Sequence, residues 1–173
     1  MPKVSITKLF EDNAKSLELD WVIAPKSEKT ILDSNEINHS AEGLIGNLNL
    51  THPNWIQIFS KTEAHYFLEM TEGEQRQALE KLRNSGFFCL ILSDDEIAPN
   101  SLSDFAMELK IPTIRSPLGS QQIIWVIRTY LGKALADFEI QHGVFLDVLG
   151  MGVLITGKSG VGKSELGLEL ISR

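Results

Sequence analysis

Residues 157–164 constrain this chain most strongly, because they form a glycine-rich segment between an apolar run and a helical pattern. The segment satisfies every fixed position of the phosphate-binding loop G-x-x-x-x-G-K-[ST]; it reads Gly157-Lys158-Ser159-Gly160-Val161-Gly162-Lys163-Ser164. Residues 153–156 before it predict a buried strand, and residues 165–171 after it have helical spacing. A strand, a loop and a helix in this order predict an α/β fold with a site for phosphate groups.

Each fixed position of the segment supplies one part of such a site. Glycines let the main chain turn tightly, so that successive N–H groups point into one concavity, and the following helix adds the positive end of its dipole. Lys163 supplies a mobile cation for the outer phosphates of a nucleotide, and the Ser164 hydroxyl can coordinate Mg²⁺. The pattern leaves the Lys158 side chain unconstrained, so we assign it no specific role.

The chain before residue 136 has the pattern of a separate α/β domain. Strand and helix signals alternate there, which predicts a mostly parallel sheet. The predicted helices cover residues 5–17, 71–84, 101–109 and 120–138, and the predicted strands cover residues 19–24, 55–59, 87–93 and 113–115, with one or two weak strands within 26–52. We expect a first domain over residues 1–135, which includes the long linking helix, and the start of a second over 136–173.

Residues 140–148 alternate in polarity and predict a strand that pairs with residues 153–156. If Gly150 and Met151 occupy the centre of the turn, Val148 pairs with Val153.

The same register places His142 beside Ser159, at the mouth of the phosphate loop. Imidazole can donate or accept a hydrogen bond or carry charge near neutral pH. His142 is therefore a candidate for contact with a transferred phosphoryl group or its acceptor. The alternative is a strand histidine that only hydrogen-bonds a neighbour, and spacing alone does not separate the two.

Composition argues against several classes of function. The 173 residues carry a net charge of −7 and contain no dense block of lysine or arginine, so we expect no nucleic-acid or anionic-membrane surface. No apolar run is long enough to span a membrane, and the start of the chain lacks the apolar core of a secretion signal. Cys89 has no second cysteine to pair with, and its apolar neighbours predict a buried, inert thiol. We expect a soluble protein of the cytoplasm.

No metal site is predicted outside the loop. His39, His52 and His65 have no acidic or thiol partners at the spacing of metal ligands. The acidic run at 94–96 could bind a cation, but a solvated turn is the favoured interpretation.

The stretch from His142 to Leu166 resembles the start of the catalytic domain of the bacterial HPr kinase/phosphorylase family. The resemblance rests on the His-Gly strand, the phosphate loop and the Ser-Glu-Leu helix, which most families with such a loop do not combine; the matching segments are His142-Gly143-Val144-Phe145-Leu146-Asp147, Gly150-Met151-Gly152-Val153-Leu154-Ile155-Thr156-Gly157 and Ser159-Gly160-Val161-Gly162-Lys163-Ser164-Glu165-Leu166. Residues 1–135 resemble the family's amino-terminal domain more loosely, chiefly in the strand at 111–114 and the long helix after it.

This resemblance implies an amino-terminal α/β domain followed by the first strands, the loop and the helix of a P-loop kinase domain. It implies an enzyme that uses ATP to phosphorylate a serine of the phosphocarrier protein HPr, and that uses inorganic phosphate to remove the group with release of pyrophosphate. Such an enzyme regulates carbon metabolism or the phosphotransferase system. The resemblance also implies a cytoplasmic homohexamer.

Carried over by position, the resemblance assigns nucleotide binding to the loop, Mg²⁺ ligation to Ser164 and catalytic roles to His142 and Lys163. The nucleotide-binding residues are Gly157, Lys158, Ser159, Gly160, Val161, Gly162, Lys163 and Ser164.

The family's paired aspartates, a later Mg²⁺-binding glutamate and an active-site arginine would all follow Arg173. Phosphoryl transfer requires metal, base and charge stabilisation together. We therefore expect the 173-residue chain to be a fragment without kinase or phosphorylase activity of its own. Two alternatives remain open. The amino-terminal residues could form a binding or oligomerisation module for which the loop is incidental, or the loop could belong to another ATPase without a protein-serine acceptor.

Overall fold

The computed structural model describes residues 2–25, 31–34, 43–49, 54–137 and 140–172. The chain divides into two compact units, which we call unit 1 (Met1–Ala136) and unit 2 (Asp137–Arg173). The elements of unit 1 are β1 (Lys3–Ser5), α1 (Ile6–Leu17), β2 (Asp20–Ile23), β3 (Ile31–Asp33), β4 (Ile45–Asn47), β5 (Ile56–Phe59), α2 (Lys61–Glu69), α3 (Glu72–Ser85), β6 (Cys89–Leu92), α4 (Asn100–Leu109), β7 (Thr113–Arg115) and α5 (Ser120–Ala134). The elements of unit 2 are β8 (Gly143–Val148), β9 (Met151–Thr156) and α6 (Lys163–Ser172).

Unit 1 is built on a five-stranded sheet in the order β2-β7-β6-β5-β4. Strands β4, β5, β6 and β7 are parallel, and β2 pairs antiparallel with β7 at one edge. Strands β1 and β3 form a separate antiparallel pair. The predicted α/β class with a mostly parallel sheet is therefore confirmed, and β3 and β4 are the weak strands expected within residues 26–52.

The two faces of this sheet bury two separate sets of side chains, because successive strand residues point to opposite faces. One face packs against α1 and α5; its buried members include Ile58, Ile91, Ile114, Ile123 and Ile127. The other face packs against α2, α3 and α4; its buried members include Phe59, Phe67, Leu82, Leu92 and Leu102. All four residues of β5 and all four of β6 are buried, as expected for central parallel strands covered on both sides.

Local capping signals explain where several helices begin and end. The Ser5 side chain accepts from the Lys8 N–H at the start of α1. Thr71 and Glu74 form a complete capping box at the start of α3, and Gly86 ends that helix with a φ of +66°. Helix α2 was not among the predicted elements, although Ser60 and Glu63 form a second capping box at its start.

The long helix α5 ends earlier than predicted. Its last helical residue is Ala134, and Leu135 caps it with its N–H bonded to the Leu131 carbonyl. Ala136 and Asp137 are exposed, so a further turn would gain no core contact. Phe138, the predicted end, lies outside the described residues.

Unit 2 consists of a β8–β9 hairpin and the helix α6. The predicted register was wrong by two residues, because Val148 pairs with Met151 rather than with Val153. The turn residues are Leu149 and Gly150, both with positive φ. The Gly150 N–H donates to Asp147 Oδ1 at 2.9 Å, which supports a turn at this position.

Two further expectations concern burial and membrane spans. Cys89 is fully buried on β6 and forms no disulfide, and burial raises the pKa of its thiol well above the usual range. The predicted burial of the thiol is therefore confirmed. Within the described parts of the chain, no helix has both the length and the apolar character that a membrane crossing requires.

Candidate nucleotide-binding site

The candidate site lies between the end of β9 and the start of α6. Strand β9 ends at Thr156 and α6 begins at Lys163, so the residues between them form the loop that the motif predicted. Gly160 and Gly162 have φ values of +83° and +82°, which other residues rarely adopt. These two glycines are therefore required by the backbone path of the loop itself.

Lys163 closes the loop from its far end. Its Nζ donates to the carbonyl oxygens of Gly157 at 2.8 Å and Lys158 at 2.7 Å. An ammonium group has three N–H donors, so one donor is left for a further acceptor. The Lys163 side chain thus places its positive charge inside the concavity, next to the main chain that would surround a phosphate group.

The first turn of α6 adds a second favourable feature for anions. The Leu166 N–H donates to the Gly162 carbonyl at 2.9 Å, which is the first helical hydrogen bond. The N–H groups before it cannot bond within the helix, and they carry the partial positive charge of the helix terminus. Unpaired N–H groups, the helix dipole and the Lys163 ammonium therefore converge where a polyphosphate would bind.

Ser164 lies on the first turn of α6 and is exposed at the mouth of the loop. Glu165 follows it, and its Oε2 lies 3.4 Å from the position that a Cβ on Gly162 would occupy. Hydroxyl and carboxylate oxygens are donors that Mg²⁺ accepts, and Mg²⁺ commonly binds one or two such groups together with substrate phosphates. The donor set fits that mode of binding. Among the described residues, no cluster of three or more His, Cys, Asp or Glu side chains could hold a metal ion without such phosphates.

The carboxylate of Glu165 was missed as a neighbour of the site by sequence reasoning. The motif ends at Ser164, so Glu165 was used for the helical pattern and for the family resemblance but was given no role at the site. The available signal was its place in the first helical turn, where side chains lie next to the loop.

His142 lies next to the phosphate loop, as predicted, but its position in the hairpin is not opposite Ser159. Gly143 pairs with Thr156, so the next position of the ladder brings His142 to Gly157 rather than to Ser159. His142, Gly157, Ser159 and Lys163 nevertheless line one cavity. The structure therefore places the imidazole beside the part of the loop that the Lys163 ammonium contacts.

The other candidates lie away from the loop. His65 forms an exposed pair with Glu69 on α2 at 3.3 Å. Asp94 and Asp95 lie in a turn after β6, where both have positive φ, in agreement with the predicted solvated turn. His39 and His52 lie outside the described residues.

Comparison with known proteins gives the family to which these features belong. The family described as HPr Serine kinase N terminus matches residues 4–131, and the family described as HPr Serine kinase C-terminal domain matches residues 133–173. The chain belongs to the HPr serine kinase family. The resemblance found in the sequence is thereby confirmed. The first of the two matches covers most of unit 1.

Three curated relatives of this HPr serine kinase family member carry the name HPr kinase/phosphorylase. The protein of Nitrosomonas europaea is 46% identical over 173 residues, which are 100% of this chain and 54% of the relative. The protein of Bordetella avium is 38% identical over 170 residues, 98% of this chain and 54% of the relative. The protein of Neisseria gonorrhoeae is 38% identical over 173 residues, 100% of this chain and 54% of the relative. The chain spans about half the length of the curated relatives it matches.

Proposed function

We propose that this chain belongs to an enzyme that transfers the γ-phosphoryl group of ATP to a serine hydroxyl of HPr. In this reaction the serine oxygen forms a bond to phosphorus, the bond to the ADP oxygen breaks, and the hydroxyl proton is released. In the reverse direction inorganic phosphate attacks the phosphoserine, which regenerates serine and yields pyrophosphate. The names of the relatives support both activities, and the enzyme would regulate carbon metabolism or the phosphotransferase system.

The observation that carries the proposal is the convergence of donors at the loop. The Lys163 Nζ contacts the Gly157 and Lys158 carbonyls, and the free N–H groups of α6 open onto the same concavity. A nucleotide polyphosphate would bind along residues Gly157–Ser164, with Lys163 on its outer phosphates. Charge develops on these oxygens during phosphoryl transfer, and positioned cations stabilise it.

We assign the metal-binding role to Ser164, with Glu165 as its neighbour on the first turn of α6. When bound, Mg²⁺ would neutralise charge on the transferred phosphate groups. The Ser164 hydroxyl would orient toward that ion, and the Lys163 ammonium would keep the loop closed around the polyphosphate.

His142 would act at the acceptor side of the same site. It lines the cavity with Gly157, Ser159 and Lys163. A neutral imidazole there can accept a proton or hydrogen bond, and an imidazolium can stabilise a phosphoryl oxygen. We propose that His142 contacts the transferred group or the attacking oxygen.

The experiment uses the complete gene product, purified HPr and Mg-ATP. Phosphoserine on HPr is measured by mass spectrometry, and pyrophosphate release from phosphorylated HPr is measured in the presence of inorganic phosphate. Lys163→Ala is expected to lower kcat about 100-fold, as for the loss of one charge-stabilising donor. Lys81→Ala, which removes an exposed lysine from α3, is the matched control and is expected to leave the rate unchanged. An enzyme that hydrolyses ATP but never modifies HPr would contradict the proposal.

The proposal extends to the state of the protein in the cell. For the complete enzyme we propose a cytoplasmic location, where ATP is available, and a homohexameric state, which the family resemblance implies. Analytical ultracentrifugation of the complete gene product would give a mass of six subunits. We also propose that the 173-residue chain alone has no activity, which the same phosphoserine assay checks directly.

A further inference from the structure

Unit 1 contains a cavity of about 330 Å³ whose lining residues all belong to unit 1, so none of them is part of the phosphate loop. Its floor is formed by one face of β2, β7 and β6, and one wall is formed by α4. The loop at residues 96–98 forms a second wall. This volume is at the lower end of the range for small-molecule sites in proteins.

The chain topology explains why this part of the sheet is open. Helices α2, α3 and α4 pack on this face, whereas α5, which follows β7, packs on the opposite face. Beyond α4, apolar side chains on the open face and on its rim are therefore left exposed. Val22 is 53% exposed, Met107 is 55% exposed and Ile97 is 84% exposed.

Two opposite charges accompany this apolar lining, Arg115 at the end of β7 and Glu96 on the loop after β6. Both belong to the carboxyl-terminal end of the parallel strands, where open α/β sheets bind ligands. The backbone joins their segments, because the Asp95 N–H donates to the Ser116 carbonyl at 3.2 Å.

Neither charge is engaged by a strong partner in the part of the chain that the structure describes. The Arg115 guanidinium makes one contact, to Asp20 Oδ2 at 3.7 Å, which is longer than a hydrogen bond. The Glu96 carboxylate forms no hydrogen bond or ion pair with a described residue.

The polar side chains inside the cavity are already paired, in contrast to the two charges. Thr113 Oγ1 donates to the Ile111 carbonyl at 3.1 Å, and Ser103 Oγ donates to the Ala98 carbonyl at 3.2 Å. The cavity therefore combines an apolar interior, with its own hydroxyls satisfied, and one charged side chain of each sign that makes no side-chain hydrogen bond to a described residue.

We propose that this cavity binds a free apolar α-amino acid of about the size of leucine to phenylalanine. The Arg115 guanidinium binds the α-carboxylate, for which its planar donors are suited. The Glu96 carboxylate binds the α-ammonium group, and the apolar side chain enters between α4 and the sheet. A simple fatty acid would leave Glu96 without a ligand partner, and an apolar amine would leave Arg115 without one, so a zwitterion matches both charges of the lining.

The test is isothermal titration calorimetry of the 173-residue chain with L-leucine, L-methionine and L-phenylalanine. We expect saturable 1:1 binding of at least one of them. N-acetyl-L-leucine, which lacks the ammonium charge, and L-leucinamide, which lacks the carboxylate, are each expected to bind about tenfold more weakly or worse. These analogues test both charges without any change in the protein.

Substitutions then locate the site. Arg115→Gln and Glu96→Gln are each expected to weaken binding about tenfold or more. Arg76→Gln on α3 and Glu11→Gln on α1 remove exposed charges of the same type elsewhere in unit 1 and serve as matched controls. Thermal unfolding of each variant checks that the fold is retained.

Three results would overturn the proposal. The first is the absence of saturable binding by all three amino acids up to millimolar concentration. The second is binding that persists undiminished in both Arg115→Gln and Glu96→Gln, or that equals the binding of the analogues. The third is a dimer in sedimentation that Ile97→Asp dissociates, because a second copy would then cover the cavity. The measurement needs no nucleotide or HPr, so its outcome is independent of the proposed kinase function.

Discussion

Strands β5 and β9 have similar apolar sequences, but their surroundings differ greatly. Every residue of β5 is buried, because helices cover both faces of the five-stranded sheet. In β9 five of the six residues are exposed, because a two-stranded hairpin and one helix cannot cover both faces. Among the described residues of unit 2, Leu146 is the one buried hydrophobic side chain.

The difference shows that the fold of unit 1 and the phosphate loop of unit 2 are stabilised by different kinds of contact. Unit 1 depends on contacts between elements that are distant in sequence, such as the pairing of β2 with β7. The phosphate loop depends instead on local features, namely the positive φ of its glycines and the contacts of Lys163 with its own loop. The following predictions test this contrast.

The largest effect is expected for a large side chain at the centre of unit 1. Phe59→Ala removes a fully buried ring that lies edge-on to Phe67, with ring centroids 6.4 Å apart. We expect the free energy of unfolding of unit 1 to fall by about 3–5 kcal/mol, measured by urea denaturation. Leu168→Ala on α6, where the side chain is 68% exposed, is the control in unit 2. A comparable loss from Leu168→Ala would show that unit 2 has a core of its own.

An intermediate change in stability is expected at two helical glycines, one in each unit, because their surroundings differ. A Cβ on Gly167 of α6 would lie 3.0 Å from Val144 Cγ1, whereas a Cβ on Gly132 of α5 would meet no atom within 4 Å. Gly167→Leu is expected to destabilise the packing of α6 on β8 by about 1–3 kcal/mol. Amide hydrogen exchange in α6 and β8 should become faster.

Gly132→Leu is the matched variant, because it adds the same side chain in open space. It should stabilise α5 by about 0.5–1 kcal/mol through helix propensity. Unchanged exchange in Gly167→Leu would mean that α6 does not pack closely on β8.

A smaller effect is expected at the capping box of α3. The Thr71 hydroxyl accepts from the Glu74 N–H, and the Glu74 carboxylate accepts from the Thr71 N–H at 2.8 Å. Thr71→Ala should cost about 1 kcal/mol of unit 1 stability, measured by thermal unfolding. Thr129→Ala in α5 is the control. The Thr129 hydroxyl donates to the Trp125 carbonyl one helical turn earlier, so its loss should change the stability of unit 1 little.

The smallest expected effect is the pH dependence of the stability that the Thr71–Glu74 capping box gives to unit 1. The backbone hydrogen bond from Thr71, and then its side-chain hydrogen bond, lower the pKa of Glu74. A carboxyl group with a lowered pKa stabilises the fold above its unfolded pKa, and this contribution disappears as the pH falls through the folded value. The stability difference between the unaltered chain and Glu74→Gln should therefore be present at neutral pH and vanish in acid. A difference that grew on acidification would contradict this assignment.

The sequence predicted those features that depend on neighbours along the chain. The caps at Ser5, Thr71 and Gly86 and the phosphate loop were identified because a few adjacent residues determine each of them. Helix α2 was missed, although the Ser60 and Glu63 box marked its start.

Longer-range geometry was harder to predict. The hairpin register was wrong because the glycines at 150 and 152 allow more than one turn, and the Asp147 side chain selects the one with Leu149 and Gly150. The cavity beside α4 could not be predicted, because it depends on the face of the sheet on which α5 packs.

The contacts of Lys163 have a consequence for how a nucleotide would arrive. Two main-chain carbonyls already fix the ammonium, so most of the side chain's rotational freedom is lost before any phosphate is present. An incoming phosphate can then accept from the remaining N–H donor, while the ammonium keeps both of its carbonyl partners. Preorganisation of this kind raises affinity by removing an ordering cost that a free lysine would carry into the complex.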